Sequence, residues 1–368
     1  MQVEIGVKEL SGALAQIIEA VEKRTTIPVL SQIKMTADGE TVTLFATDLE
    51  VHMQVSVAAK VKKPGVLLCP ARRIKEIVGY VSAGTISFTL ADNHWIHVKA
   101  GSAKYKLPSY AADTYPTFPP VEKTEFAITG KTLTRAIAAT RFAITQEESR
   151  HNLCAVLLAN GDAVATDGHR MAIWKDKELK AFRSNGSESC KDAPNFGGVL
   201  LSRRGCNLLL LLVDVESKVE VAISEDSLIF SQENWILRVR RPSGVFPNYQ
   251  AVIPSKDKAK LKVAVSSALL ADHVNRVQIS ADERTQYTRF SFTKGTLTLM
   301  CASPEAGEAV DSMEVSSNVE VQFAANGKYV LEFLRANEGE VMIHAADEHT
   351  GILFEKEDSL YVVMPMRL

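Results

Sequence analysis

Apolar and polar positions along this chain switch repeatedly between two periods. Over residues 2–6 they alternate, as in a half-buried strand; over 7–21, Leu10, Leu14, Ile17, Ile18 and Val21 recur at helical spacing. Alternation returns over 32–35, 42–46 and 51–58. Pro70 then opens a second helical stretch, 71–81, striped by Ile74, Ile77, Val78 and Val81; proline suits a first helical turn. Strands follow at 85–90, 94–100 and 103–107, and Thr117-Phe118-Pro119-Pro120 reads as a linker, because paired prolines stop helix and sheet alike.

The pattern then restarts. A strand at 126–128 and a helix at 131–144 precede strands at 154–158, 163–166 and 171–175. A polar loop, 184–198, leads to a leucine-rich helix at 202–213 and strands at 219–223, 227–231 and 235–239. After Val245-Phe246-Pro247-Asn248-Tyr249 and Ile253-Pro254, a third pass runs through a strand at 261–265, a helix at 266–277, strands at 289–292, 296–301 and 309–315, a helix at 326–336, and strands at 340–345, 351–355 and 360–364. The order strand, helix, strands, helix, strands thus recurs three times, at a period of about 120–130 residues. Landmarks recur with it: Leu44-Phe45-Ala46-Thr47-Asp48 answers Val164-Ala165-Thr166-Asp167, while Leu299-Met300-Cys301-Ala302-Ser303 is a weaker counterpart without the Thr-Asp pair. This order predicts an α+β fold of three similar domains, 1–122, 123–255 and 256–368, each long enough to bury its own core.

Composition narrows the function classes. With 46% apolar and 23% charged residues the chain has the balance of a soluble globular protein, and no apolar run is long enough to span a bilayer. Met-Gln-Val-Glu-Ile alternates like a strand and carries an early acid, unlike a signal peptide. The cysteines, Cys69, Cys154, Cys190, Cys206 and Cys301, are scattered and form no C-x-x-C, which fits a reducing cytoplasm and predicts neither zinc nor a disulfide framework. No cofactor is expected, since there is no Gly-rich phosphate loop. The net charge of −2 is unevenly spread: the inferred helices hold thirteen basic and six acidic residues, about +7, which leaves about −9 elsewhere. A basic helical layer suits a surface that lines a nucleic-acid duplex, although basic side chains lying over exposed helix faces give the same pattern.

The central stretch is Ala165-Thr166-Asp167-Gly168-His169-Arg170-Met171. Asp-Gly predicts a tight turn, because glycine accepts the positive φ such turns need. Thr166, His169 and Arg170 then stand at a hairpin end, as a plain polar turn or as half of a binding surface.

Five stretches together resemble the bacterial DNA polymerase III β-subunit (sliding clamp) family over nearly the whole chain. They are Arg24-Thr25-Thr26-Ile27-Pro28-Val29-Leu30, Ala46-Thr47-Asp48-Leu49-Glu50, Ala165 to Arg170, Phe246-Pro247-Asn248-Tyr249, and Tyr361-Val362-Val363-Met364-Pro365-Met366-Arg367-Leu368. The resemblance implies a non-catalytic processivity factor: a head-to-tail homodimer closed into a six-domain ring, helices inside and sheets outside, encircling duplex DNA without sequence preference. It also implies a groove between the second and third domains for linear motifs of the DNA polymerase III alpha subunit, the clamp loader and repair polymerases.

On the same resemblance the groove positions are Leu153, Thr166, Gly168, His169, Arg170, Met171, Pro247, Val252, Asn326, Tyr329, Val362, Val363, Met364, Pro365, Met366 and Arg367. Apolar anchors with flexible methionines suit a site that accepts several peptide shapes. The DNA-facing positions are Arg24, Arg72, Arg73, Lys131, Arg135, Arg150, Arg203, Arg204, Arg276 and Lys328; the dimer contact is Tyr105 and Leu107 against Gln278 and Ile279. Twelve helices from two chains, packed ~10 Å apart, give a ring ~38 Å across at the helix axes and a bore of ~28 Å. The chain departs from the family at Ala251, where a basic residue is common; at His151 and Asn152, where aromatics are; in a longer 184–198 loop; and at Gln278, where the family is apolar. Gln278 motivates a second reading, a monomeric or accessory peptide-binding scaffold. A third reading is a hydrolase using His169 with Asp167.

Overall fold

The computed structural model describes residues 1–22, 26–82, 84–91, 95–120, 123–182 and 198–367; Arg24, nearly all of the 184–198 loop and Leu368 lie outside them. In chain order the elements are β1 (Gln2–Gly6), α1 (Val7–Ile17), β2 (Gln32–Asp38), β3 (Thr41–Thr47), β4 (Val51–Lys63), β5 (Gly65–Pro70), α2 (Ala71–Gly79), β6 (Thr85–Leu90), β7 (Trp95–Ala100) and β8 (Ala103–Pro108). Next come β9 (Phe126–Thr129), α3 (Gly130–Thr140), β10 (Ala155–Ala159), β11 (Asp162–Thr166), β12 (Arg170–Lys175), β13 (Val199–Ser202), α4 (Arg203–Leu212), β14 (Lys218–Ile223), β15 (Ser227–Gln232) and β16 (Trp235–Arg240). The chain continues through β17 (Leu261–Ser266), α5 (Ser267–Gln278), β18 (Tyr287–Thr293), β19 (Thr296–Ser303), β20 (Gly307–Glu314), β21 (Val321–Asn326), α6 (Gly327–Ala336), β22 (Glu340–Ala345), β23 (Ile352–Lys356) and β24 (Ser359–Val363).

Among the described residues this is one module, strand-helix-strand-strand-strand, used six times. Each of the three passes read from the sequence is therefore made of two such modules, a repeat at half the period. Neighbouring modules exchange their leading strands. β1 pairs with β6 and β5 with β2; β9 pairs with β14 and β13 with β10; β17 pairs with β22 and β21 with β18.

The leading strands β5, β13 and β21 are not separable in the sequence pattern. Each is short, largely buried and runs directly into a helix, so its apolar residues merge with the helical stripe. Helix ends also differ from the pattern. α1 stops at Ile17 and tightens into a 3-10 turn, Ile18–Ala20. α3 stops at Thr140, whose hydroxyl donates back to the Ala136 carbonyl at 2.7 Å, and a 3-10 turn, Arg141–Ala143, follows.

The chain forms two compact units. The first comprises Met1–Gly130 and Asn207–Arg241 and holds one twelve-stranded sheet with β8 at an edge. The second comprises Lys131–Cys206 and Pro242–Leu368 and holds an eight-stranded sheet, ordered β13-β10-β11-β12-β24-β23-β22-β17, and a four-stranded sheet, β20-β19-β18-β21. Residues 123–255 contribute to both units. The helices bury one stripe each: α2 seals Ala71, Ile74, Ile77 and Val78 and leaves Arg72, Arg73 and Lys75 in solvent.

Candidate functional site

The β11–β12 hairpin turns on its own side chains. Thr166 Oγ1 donates to the Arg170 carbonyl (2.6 Å) and accepts from Gly168 N (3.1 Å). Asp167 Oδ1 accepts from His169 N (2.9 Å) and Arg170 N (3.0 Å). Gly168 sits at φ +92°, the left-handed region that the Asp-Gly signal predicts. The β3–β4 hairpin repeats these four bonds and adds a contact of Thr47 Oγ1 with His52 Nδ1 at 3.1 Å. Thr47 Oγ1 donates to Val51 O (2.7 Å) and accepts from Leu49 N (2.9 Å), and Asp48 Oδ1 accepts from Glu50 N (3.1 Å) and Val51 N (2.8 Å). There Leu49 takes the left-handed position, at φ +79°.

Arg170 leaves this turn and enters the protein. Its side chain is only 8% exposed. Nε donates to Asp167 Oδ2 (3.0 Å), Nη1 to Glu332 Oε2, and Nη2 to the Phe142 carbonyl (2.7 Å). The guanidinium lies 4.1 Å from the Tyr329 ring centroid and 5.7 Å from that of Phe142. Burial works against its charge, but Tyr361 and Glu332 outweigh burial and raise its pKa above the ordinary value. Tyr361 in turn donates to the Tyr329 carbonyl (3.0 Å) and stacks on Phe333 at 4.9 Å, and burial pushes its own hydroxyl pKa up.

The C-terminal strand completes the site. β24 pairs with β12, Arg170 opposite Val363 and Met171 opposite Val362. Met364 N then donates to the His169 carbonyl (2.9 Å) and Met366 N to the Ala324 carbonyl (2.7 Å). Beneath this joint Met171, Val362, Phe246, Tyr249, Leu157 and Leu200 belong to one buried apolar cluster, with Leu153 and Ile253 packed on its margin. Met364 and Val252 remain 46% and 57% exposed above it, beside exposed Gly168, His169, Pro247 and Arg367.

Some expected groove residues have other partners. Asn326 caps α6, accepting from Tyr329 N (3.1 Å), and donates to Thr285 O (3.1 Å). Val363 is fully buried, and Pro365 and Met366 are half-buried. The supports that motif reading passed over are Phe142, Glu332 and Tyr361. Of these, only Tyr361 lies in one of the five stretches that resemble the family.

Of the expected DNA-facing residues, Arg72, Arg73, Lys131, Arg135, Arg204, Arg276 and Lys328 are exposed on helices; Arg24 lies outside the described residues. Arg73 bridges Glu76 (2.9 Å) and Arg276 bridges Asp311 (3.3 Å). Arg150 pairs with Glu147 (2.8 Å) and reaches the Asp167 carbonyl (3.3 Å). Arg203 donates to the carbonyls of Ile144 (3.0 Å) and Thr145. Tyr105 and Leu107 stand half-buried on β8, and Ile279 is 80% exposed. Gln278 turns inward, its amide donating to Thr288 Oγ1 (2.5 Å) and Gln286 O (3.3 Å).

Among the described residues no group of three or more His, Cys, Asp or Glu could hold a metal ion, and no helix is long and apolar enough to cross a membrane. Residues 1–119 match the family model for the DNA polymerase III beta subunit N-terminal domain, and 250–367 match that for its C-terminal domain. The beta sliding clamp of Caulobacter vibrioides is 30% identical, over 90% of this chain and 89% of its own length. The Pseudomonas aeruginosa sliding clamp, solved bound to griselimycin, superposes with a TM-score of 0.89 at 26% identity and full coverage of both chains. The Caulobacter crescentus pol III beta structure gives 0.86 at 28% identity, again covering both chains in full. The chain belongs to the DNA polymerase III β-subunit family, the β sliding clamps.

Proposed function

We propose that this sliding clamp, a non-catalytic subunit, closes as a head-to-tail ring of two copies around duplex DNA and tethers partner proteins at the β12–β24 joint. One observation carries the ring. Each of the six modules ends in a final strand, and four of those strands meet in two like joints: β4 with β16, and β12 with β24. In both joints a module pairs with the third one after it. The two final strands left over, β8 and β20, are sheet edges. They too end modules three apart, the second and the fifth. Unpaired edges invite another strand, and β8 of one copy against β20 of the next repeats the joint twice more and closes a dimer. Tyr105 and Leu107 on β8 and the exposed Ile279 supply the apolar contacts. Three domains at 1–122, 123–255 and 256–368 follow from the strand exchange between successive modules.

A ring holds DNA by enclosure, so the exposed basic residues of α2 to α6 need only keep the duplex centred through a water layer. The apolar cluster opening beneath Met364 suits anchor side chains from an extended peptide, such as a segment of the DNA polymerase III alpha subunit, a clamp loader or a repair polymerase. Retention on circular plasmid after loading, with release on linearisation, tests the ring. Release from intact circles, or a single-chain mass in sedimentation at micromolar concentration, favours the scaffold reading. Griselimycin titration tests the groove: removal of Met364–Leu368 abolishes binding, and unchanged affinity refutes the site.

A further inference from the structure

The joint that carries the proposed groove has a twin in the first compact unit. β4 pairs with β16 as β12 pairs with β24, Val51 opposite Val239 where Arg170 faces Val363. Arg240 N donates to the Glu50 carbonyl at 2.9 Å, as Met364 N does to that of His169. The hairpin turns share their four Thr and Asp hydrogen bonds, and Thr47 Oγ1 also meets His52 Nδ1 at 3.1 Å. The apolar floor is alike as well: Phe45, Leu68 and Phe118 stand in the places of Val164, Leu200 and Phe246, and Tyr115 packs with them.

The side chains at the mouth differ. Glu50 and Arg240, at the places of His169 and Met364, form a 3.0 Å ion pair. Arg238, in the place of Val362, is 13% exposed and held by Asp226 at 3.2 Å. His52, in the place of Met171, stacks on Phe45 and meets Phe118 edge-on, both at 6.3 Å. Leu49 replaces Gly168 and stands 50% exposed. An apolar anchor entering here would strip water from paired charges without repaying them.

We infer that the β4–β16 joint is a latent copy of the peptide groove, closed by Leu49, Glu50, His52, Arg238 and Arg240, and that selectivity lies in these five positions of a shared backbone frame. This rests on the groove reading above. The ligand for which the frame is built is the same in both copies, an extended apolar segment; the latch restricts each chain to one.

Calorimetric titration of the full-length protein with griselimycin tests this. The wild type takes up one ligand per chain. The graft L49G/E50H/H52M/R238V/R240M, which leaves the β12–β24 joint untouched, takes up two. Two ligands on the wild type, or one on a graft that keeps its circular dichroism and melting temperature, overturns the inference. If the graft does not fold, the converse variant H169E/M364R decides: the installed ion pair weakens binding at least about tenfold, and affinity within about twofold of wild type overturns the inference. No binding to the wild type at all would instead refute the groove itself.

Discussion

Arg170→Ala should be among the most damaging single changes in the second compact unit. The variant removes a guanidinium that is 8% exposed and joins the hairpin turn to α6 and to the Arg141–Ala143 turn. Asp167 would keep its two backbone donors, and Glu332, 27% exposed, could turn to water. The Phe142 carbonyl would lose its partner. Breaking a buried ion pair from one side costs about 3–5 kcal/mol; the solvent access of Glu332 puts this case at the lower end. Loss of the stack on Tyr329 adds about 1 kcal/mol. We expect a loss of about 4 kcal/mol, read by urea unfolding through the half-buried Trp174 on β12. The cycle R170A, E332Q and the double variant should return a coupling of about 2 kcal/mol. Arg170→Lys should recover less than half of the loss, since an ammonium cannot reach three acceptors in a fork. A loss below about 1 kcal/mol, or no coupling to Glu332, would refute this account.

Two further effects follow from single side chains. His344 is 8% exposed; Nε2 meets Glu355 at 3.1 Å, and Nδ1 has no partner among the described residues. Burial therefore outweighs Glu355 and lowers the His344 pKa, so the folded state binds fewer protons than the unfolded chain. The stability this gives is present above the ordinary value of about 6.5 and is lost as pH falls below it; His344→Gln should flatten the fall in melting temperature between about pH 7 and 5, and an unchanged slope would exclude the assignment. Thr47→Val and Thr166→Val each delete a hydroxyl that both donates and accepts in a closed turn, so each should cost about 1–3 kcal/mol by denaturant unfolding. Thr47 Oγ1 also meets His52 Nδ1 at 3.1 Å, so Thr47→Val should cost more than Thr166→Val by about 0.5–1.5 kcal/mol; a smaller loss for Thr47→Val would refute the comparison.

Much of the architecture was legible because it repeats. Amphipathic stripes and alternation placed six helices and most strands, and the shared Ala-Thr-Asp landmark marked two turns whose hydrogen bonds prove the same. What stayed hidden had a common cause, dependence on distant partners or on complete burial. β13 reads Val-Leu-Leu-Ser, buried at three of four positions, and has no alternation to separate it from the leucines of α4. With β5, β13 and β21 unseen, the half-length module inside each of the three long repeats was not legible. In the sequence Arg170 stands at a hairpin end beside an Asp-Gly turn. Its burial depends on Glu332, 162 residues away, and no local pattern carries that.

The two joints also separate what the frame decides from what side chains decide. Leu49 and Gly168 hold nearly the same φ, +79° and +92°. Glycine does so without strain, whereas a branched side chain adopts it only where surrounding bonds over-determine the turn. The Thr-Asp hydrogen bonds do that in both hairpins, so the turn survives without its glycine. The backbone is then free of the sequence signal that first announced it, and the mouth above it can carry Glu50 and Arg240 in one copy and His169 and Met364 in the other. A search for Asp-Gly would find one of these joints; the paired register and the hydroxyl-to-carbonyl bond find both. Side chains, and not the frame, therefore set the two joints apart: a paired Glu50 and Arg240 stand on one, a half-exposed Met364 on the other.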